Sequence, residues 1–275
     1  MVAPTRTEGG QRLYSDADIE RLSLLRTLTA AGAAISRLAQ LPSGELSRLA
    51  EAEPLPAPEA APGESTERWR TSALQAIEAL DGATLHRELE RGALALGVPQ
   101  FLDQVVGPVL REVGVRWHDG RLGIAQEHLA TAVVREVLGW VRESAETAGA
   151  APTLVVATPA NQLHEGGALL VAATAAAEGW RVTYLGANLP GLEIAAAAVR
   201  TGARAVALSL IHPDNDPDLS GQLLALRRSL PAGVTLLVGG GAATAYRAEV
   251  EAAQGVVVME LTEFRSALVG LASRS

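Results

Sequence analysis

The second half of the chain alternates short, continuous apolar runs with amphipathic stretches. The runs are Leu154–Ala157, Val182–Leu185, Ala205–Leu210, Leu236–Val238 and Val256–Met259. Strands that are apolar throughout, with helices between them, bury both faces of a parallel sheet. Five such units between residues 150 and 275 predict a flavodoxin-like (Rossmann-like), doubly wound α/β domain. Upstream, between residues 65 and 149, the apolar positions recur at helical spacing. Trp69, Leu74, Ile77 and Leu80 mark a first helix, about Ala83–Leu96 a second, and a third starts near Pro99. The fourth starts around Gly123, carries Leu129, Val133, Val137 and Val141 on one stripe, and is ended by Gly149 and Pro152. The expected fold is therefore α plus α/β, a four-helix bundle followed by a Rossmann-like domain.

Residues 1–50 read as a small unit of their own. Thr5–Tyr14 predict a hairpin with a Gly-Gly turn. Ser15 is placed as an N-cap with Asp16 and Asp18 in the first turn, and Ile19, Leu22, Leu25 and Leu28 follow at helical spacing until Gly32. Residues 35–50 give a second short helix. Residues 51–64, with four prolines among alanines, predict an extended linker.

Composition narrows the chemistry. A length of 275 residues suits one large or two ordinary domains. Cysteine is absent, which excludes disulfides, thiolate metal sites and a thioether-linked chromophore. The net charge of −8 argues against a general attraction to nucleic acid. The first 20 residues lack the apolar core of a signal peptide. The apolar run Ala168–Ala177 is too short to span a bilayer and is broken by Glu178-Gly179. The expectation is a cytoplasmic protein.

In open α/β sheets, ligands sit beyond the carboxyl ends of the strands, near the switch in strand order. His164 comes after the first strand, within Gln162-Leu163-His164-Glu165-Gly166-Gly167; Ser209 lies at the end of the third, and Gly239-Gly240-Gly241 come after the fourth. A flavodoxin-like order makes these strands neighbours, so the three features converge on one edge. Glycines there admit a long ligand to the backbone or form a tight strand-to-helix turn. A phosphate loop is the weaker reading, because neither the Lys-Ser/Thr of a P-loop nor G-x-G-x-x-G spacing is present. In the bundle, Trp117-His118 precedes Glu127-His128 by nine intervening residues, counted from the tryptophan.

With these residues the chain resembles the CarH-type adenosylcobalamin photoreceptors, whose helical bundle carries a W-x9-EH motif above a cobalamin-binding domain. The resemblance runs from about Trp69 to the C-terminus. It implies that Gln162–Gly167 stands for the D-x-H-x-x-G motif, with His164 as the lower cobalt ligand. Gly167, Ser209, Gly239 and Gly240 then match the elements around the cofactor's displaced nucleotide tail. The same resemblance implies that Trp117 would cover the adenosyl group, that His118 would capture cobalt once light removes that group, and that Glu127 and His128 would contact the adenosyl ligand or the cofactor edge. Gln162 replaces the carboxylate of many relatives; its amide oxygen is expected to accept a bond from the far ring nitrogen of His164 without supplying charge. His86 and His212 lie outside these motifs and are expected to be structural or surface residues.

Residues Arg6–Tyr14 resemble the wing of a MerR DNA-binding domain, and the two predicted helices after them resemble the helices that come after such a wing. The recognition helix that would precede the wing is not seen, so no direct DNA binding is expected; a start further upstream would instead make the chain a light-dependent transcriptional regulator. The overall expectation is a light sensor rather than an enzyme. Photolysis of the cobalt–carbon bond would change its domain arrangement and its assembly as a homo-oligomer. The short head also resembles that of the photocobilins, which hold biliverdin beside cobalamin; without cysteine, biliverdin would have to bind non-covalently. A corrinoid carrier for methyl transfer is the alternative. A mutase subunit would need a substrate barrel.

Overall fold

The computed structural model describes residues 5–6, 12–13, 21, 24, 41–51, 62–145, 151–212 and 215–273, and the chain divides into two units, Met1–Ser65 and Thr66–Ser275. In the first unit, β1 (Thr5–Arg6) pairs antiparallel with β2 (Arg12–Leu13), with Thr5 opposite Leu13. This is the expected hairpin; its Gly-Gly turn lies outside the described residues. So do the helix expected after Ser15, apart from the helical positions Arg21 and Leu24, and the linker over 52–61. Helix α1 (Ser43–Glu51) is held by the buried Arg21, which donates to the Leu41 carbonyl at 2.8 Å and to Ser43 Oγ at 3.1 Å.

Helix α2 (Pro62–Glu78) carries the chain into the second unit, so Pro62, Gly63 and Glu64 are helical rather than part of the linker. Proline suits a first helical position because its missing N–H would have no partner there. After it come α3 (Gly82–Leu96), α4 (Val98–Phe101), a π-helical turn over Leu102–Val106, α5 (Gly107–His118) and α6 (Ile124–Ser144). Asp81 caps α3 by accepting from Thr84 N–H at 2.9 Å, and Gly97, at φ +74°, ends it. The start of α6 is tied to the end of α2, because Gln126 accepts from Gly123 N–H at 2.7 Å and donates to the Glu78 carbonyl at 3.2 Å. Ile77, Leu85, Leu89, Phe101, Val105 and Leu138 form the bundle core.

The α/β domain contains β3 (Thr153–Ala157), β4 (Arg181–Tyr184), β5 (Ala205–Ser209), β6 (Thr235–Gly239) and β7 (Gly255–Val257). They form one parallel sheet in the order β4-β3-β5-β6-β7. This is the flavodoxin-like order, and it places the switch between β3 and β5. Helices α8 (Gly191–Thr201), α9 (Leu219–Ser229) and α10 (Arg247–Ala252) cover one face, while α7 (Gly166–Ala177) and α11 (Leu261–Ala272) cover the other.

Helix α7 joins the two halves. Ala168, Ala172 and Ala175 pack on the sheet, and Leu169, Leu170 and Ala173 belong to the bundle core. A helix buried on several sides is apolar nearly all round, which explains the Ala-rich run as core. No helix among the described residues is long and apolar enough to cross a membrane.

Leu138→Ala removes a side chain that is only 2% exposed and should cost about 2–5 kcal/mol. Leu94→Ala, at a position 75% exposed, should stay within about 0.5 kcal/mol. Urea unfolding followed by circular dichroism compares them; equal losses would contradict the packing of α6.

Candidate cofactor site

Two cavities meet at the carboxyl edge of the sheet. The larger, about 560 Å³, is bordered by α5, the start of α6 and the turns after β3 and β5, and its lining includes Trp117, His118, Glu127, His164 and His212. The smaller, about 420 Å³, runs along the ends of β5 and β6 and is lined by Ser209, Gly239 and Gly240, among others. Arg111, Gly167 and Gly240 border both. The π turn before α5 ends in Gly107, whose N–H bonds to the Leu102 carbonyl. Such turns reset the helical phase; here the reset lies just ahead of the face carrying Arg111, Trp117 and His118.

The sequence-derived residues are brought together unevenly. Trp117 and His164 face each other at 5.3 Å between ring centroids, tilted by 58°. His212, expected to be structural or surface, is the third ring of this cluster. It lies 6.0 Å from Trp117 and 6.2 Å from His164, at an exposed position, so the surface placement expected of it holds while its ring joins the cluster. Its signal in the sequence was its place just past the third strand, at the switch. His86 does lie at the surface, 3.6 Å from Glu90. His128 does not line either cavity; its ring is 75% exposed, and its Nδ1 bonds to Glu127 at 2.6 Å.

Gln162 is buried, but its amide oxygen accepts from the Ile211 and His212 N–H groups at 2.9 and 3.2 Å. It clamps the turn after β3 to the turn after β5. The expected partnership with the His164 ring is thus replaced: the carboxylate beside His164 Nδ1 is that of Glu127, at 3.6 Å. This proximity is the main reason the Glu127 carboxyl is pushed down from 4.5 to about 2; partial burial opposes the shift, and bonds from His128 and Thr131 add to it.

Glu165 was not singled out in the sequence, yet it fastens the same turn to the bundle. Its buried carboxylate pairs with Arg135 of α6 and accepts a hydrogen bond from the Tyr184 hydroxyl of β4. Burial, then Glu165, raises the Tyr184 hydroxyl well above the usual phenol range. Arg142 of α6 lies over the Tyr184 ring, 5.7 Å from its centroid. Helix α6 therefore holds the His164-Glu165 pair with an acid on one residue and a base on the other.

Close packing at the edge of the sheet requires glycine at the positions that line the cavities. A Cβ on Gly167 would stand 2.5 Å from Ser209 Oγ. Gly240, at φ +100°, turns so tightly over Leu210 that a Cβ would overlap the Leu210 carbonyl. Its glycine thus serves the turn as well as the cavity wall. Ser209 is only 3% exposed, and its hydroxyl has no hydrogen-bond partner among the described residues. A buried, unpaired hydroxyl is costly unless a ligand atom satisfies it.

Residues 152–272 match the B12 binding domain, residues 69–142 match a second B12 binding domain, and residues 1–45 match the MerR HTH family regulatory protein. The chain is 34% identical, over 91% of its length and 84% of the relative's, to the HTH-type transcriptional repressor CarH of Myxococcus xanthus. It is 32% identical to the HTH-type transcriptional repressor CarA of the same organism, over 86% of this chain and 76% of that one. The chain belongs to the CarH family. Among solved structures it is similar to a novel cobalamin-binding protein from Desulfitobacterium hafniense, with a TM-score of 0.41 and 16% identity over 74% of this chain and 98% of that one.

For a CarH-family chain, the residues present fit a cobalamin. An imidazole, a buried unpaired hydroxyl and a glycine-lined passage lie along one edge. No group of three or more metal-ligating side chains occurs among the described residues. The 5.3 Å between Trp117 and His164 is shorter than the roughly 7 Å that two van der Waals separations across a flat ring require. A macrocycle between them would therefore require α5 to part from the His164 turn.

The depressed Glu127 value has a consequence for stability. Because the folded-state value lies below the unfolded one, its contribution is present above pH 4.5 and is lost as pH falls toward 2. Glu127→Gln should flatten the acid limb of a stability-versus-pH profile of the cofactor-free protein. Superimposable profiles would remove the Glu127–His164 interaction.

Proposed function

We propose that this chain is a light sensor that holds adenosylcobalamin between its helical bundle and its Rossmann-like domain. The observation carrying the proposal is that Trp117 of the bundle and His164 of the sheet edge face each other at one cavity, beside the glycine-lined passage. When bound, adenosylcobalamin supplies a cobalt–carbon bond that light breaks. His164 would hold the cobalt from below through an imidazole nitrogen. Trp117 covers the adenosyl side with a flat apolar ring and excludes water. His118 lines the same cavity and would supply an imidazole to the cobalt after light. Ser209, Gly167, Gly239 and Gly240 accommodate the nucleotide tail.

The response to light comes from the grip of α6. Parting or closing of the bundle moves a helix that is ion-paired to the residue next to His164. A local change at the cofactor thereby becomes a rigid-body change in domain arrangement and homo-oligomeric assembly. The reading assigns the chain no enzymatic reaction. Biliverdin enters it as a second, non-covalent chromophore, which co-expression with haem oxygenase tests. A red-absorbing band released by denaturant supports it; full cobalamin loading with no red band removes it.

His164→Ala should weaken cobalamin binding at least tenfold, or shift the visible spectrum to the base-off form. On size-exclusion chromatography with visible detection, the loaded wild type should change its elution after green light. Trp117→Ala should weaken dark assembly, while His118→Ala should leave the dark form intact and lose cobalamin after illumination. A methylcobalamin or cob(II)alamin spectrum with no light-driven change in elution would instead indicate a corrinoid carrier.

A second output, on DNA, is favoured by the MerR match over residues 1–45. A promoter-fragment titration at physiological salt, dark and lit, decides between the outputs. Sequence-selective binding that light abolishes makes the chain a transcriptional regulator; its absence in both states leaves assembly as the output.

A further inference from the structure

We propose that Arg111 is a specificity-determining residue that recognises the anionic phosphodiester of a nucleotide-bearing corrinoid from the bundle side. The inference rests on the cobalamin reading and deepens it. Arg111 borders both cavities, at the neck where they meet. Among the described residues its guanidinium has no hydrogen bond or ion pair, whereas Arg116, five positions further along the same helix, is paired with Glu112 and Glu78. Gly107 and Gly114 lie one turn before and after it and also line the larger cavity, so no side chain from those positions fills the space around the guanidinium.

Glu260 also borders both cavities, but the start of α7 beside the neck offers hydrogen-bond donors to an anion. Gly166 and Gly167 begin α7, a helix of twelve residues whose first-turn N–H groups and positive dipole end attract negative charge. Beside them is the buried Ser209 hydroxyl, without a partner among the described residues, which lines the smaller cavity and abuts Gly167. A ligand with its macrocycle in the larger cavity and its tail in the smaller would pass its connecting segment through the neck that Arg111 and Gly167 both border. In cobalamin that segment carries the phosphodiester, and the amide side chains around the ring are neutral. A guanidinium fork matches its two anionic oxygens. A carboxylate of a linear tetrapyrrole offers the same charge from a different source.

The test is equilibrium titration, read by the visible spectrum, of wild type, Arg111→Gln and Arg111→Lys with adenosylcobalamin, with adenosylcobinamide, which lacks the nucleotide and its phosphate, and with biliverdin. Arg111→Gln should weaken adenosylcobalamin about tenfold, the scale of one charge-assisted hydrogen bond, and leave adenosylcobinamide unchanged. Arg111→Lys should recover part of the loss. Raising salt should weaken adenosylcobalamin more in wild type than in Arg111→Gln. Equal losses for both corrinoids, or no loss for either, would overturn the assignment while leaving the cobalamin reading intact. Loss of biliverdin binding with adenosylcobalamin unchanged would reassign Arg111 to a carboxylate and overturn it as well. Failure of the wild type to bind either corrinoid would remove the cobalamin reading, and this inference with it.

Discussion

The arrangement depends on the grip of one bundle helix on one dipeptide. Helix α6 brings Glu127 to within 3.6 Å of His164 Nδ1 and, two turns later, pairs Arg135 with Glu165. Both contacts fall on the turn between β3 and α7, the turn that carries the candidate ligand. Because Glu165 is buried, removing the half-exposed Arg135 would leave it with the Tyr184 hydroxyl as its remaining side-chain partner among the described residues, and an uncompensated buried charge is destabilising. The turn and the bundle are therefore one mechanical element, and a displacement of either is felt by the other.

The shared helix α7 makes this coupling rigid. Its alanines let the sheet approach closely, while Leu169 and Leu170 project into the bundle core. Close-packed interiors shift between discrete arrangements rather than deform continuously. A cofactor that parts Trp117 from His164 would thus work against packing and ion pairs at once. Its departure would let them re-form.

Much of the fold was legible in the sequence. The five apolar runs became the five strands with ends displaced by at most two residues, and the amphipathic stretches between them pointed to a parallel sheet. The bundle helices came from the 3.6-residue repeat; the π turn at Leu102–Val106 did not, because a single extra residue per turn hardly alters the apolar pattern. Trp117, His118, Glu127 and His164 could be found because motif spacing ties them to one chemistry. His212 could not, since a histidine after a strand is ordinary until tertiary structure turns it toward the cavity. Gln162 was placed in the right motif with the wrong partner: the neighbouring β5 turn offers two backbone N–H groups that its oxygen satisfies together. Glu165 and Arg111 carried no signal, because a charged residue reveals its partner, or its lack of one, only in three dimensions.

The central claim is that His164, rather than the cofactor's own base, holds the metal. Electron paramagnetic resonance of the protein loaded with cob(II)alamin, grown with and without 15N-histidine, tests it most directly. A single axial 14N nucleus splits each cobalt line into three, and 15N splits it into two. The account predicts that labelling converts triplets to doublets, and that His164→Ala abolishes the conversion. Triplets that persist in the labelled wild type would place the cofactor's own base on the metal and contradict the account.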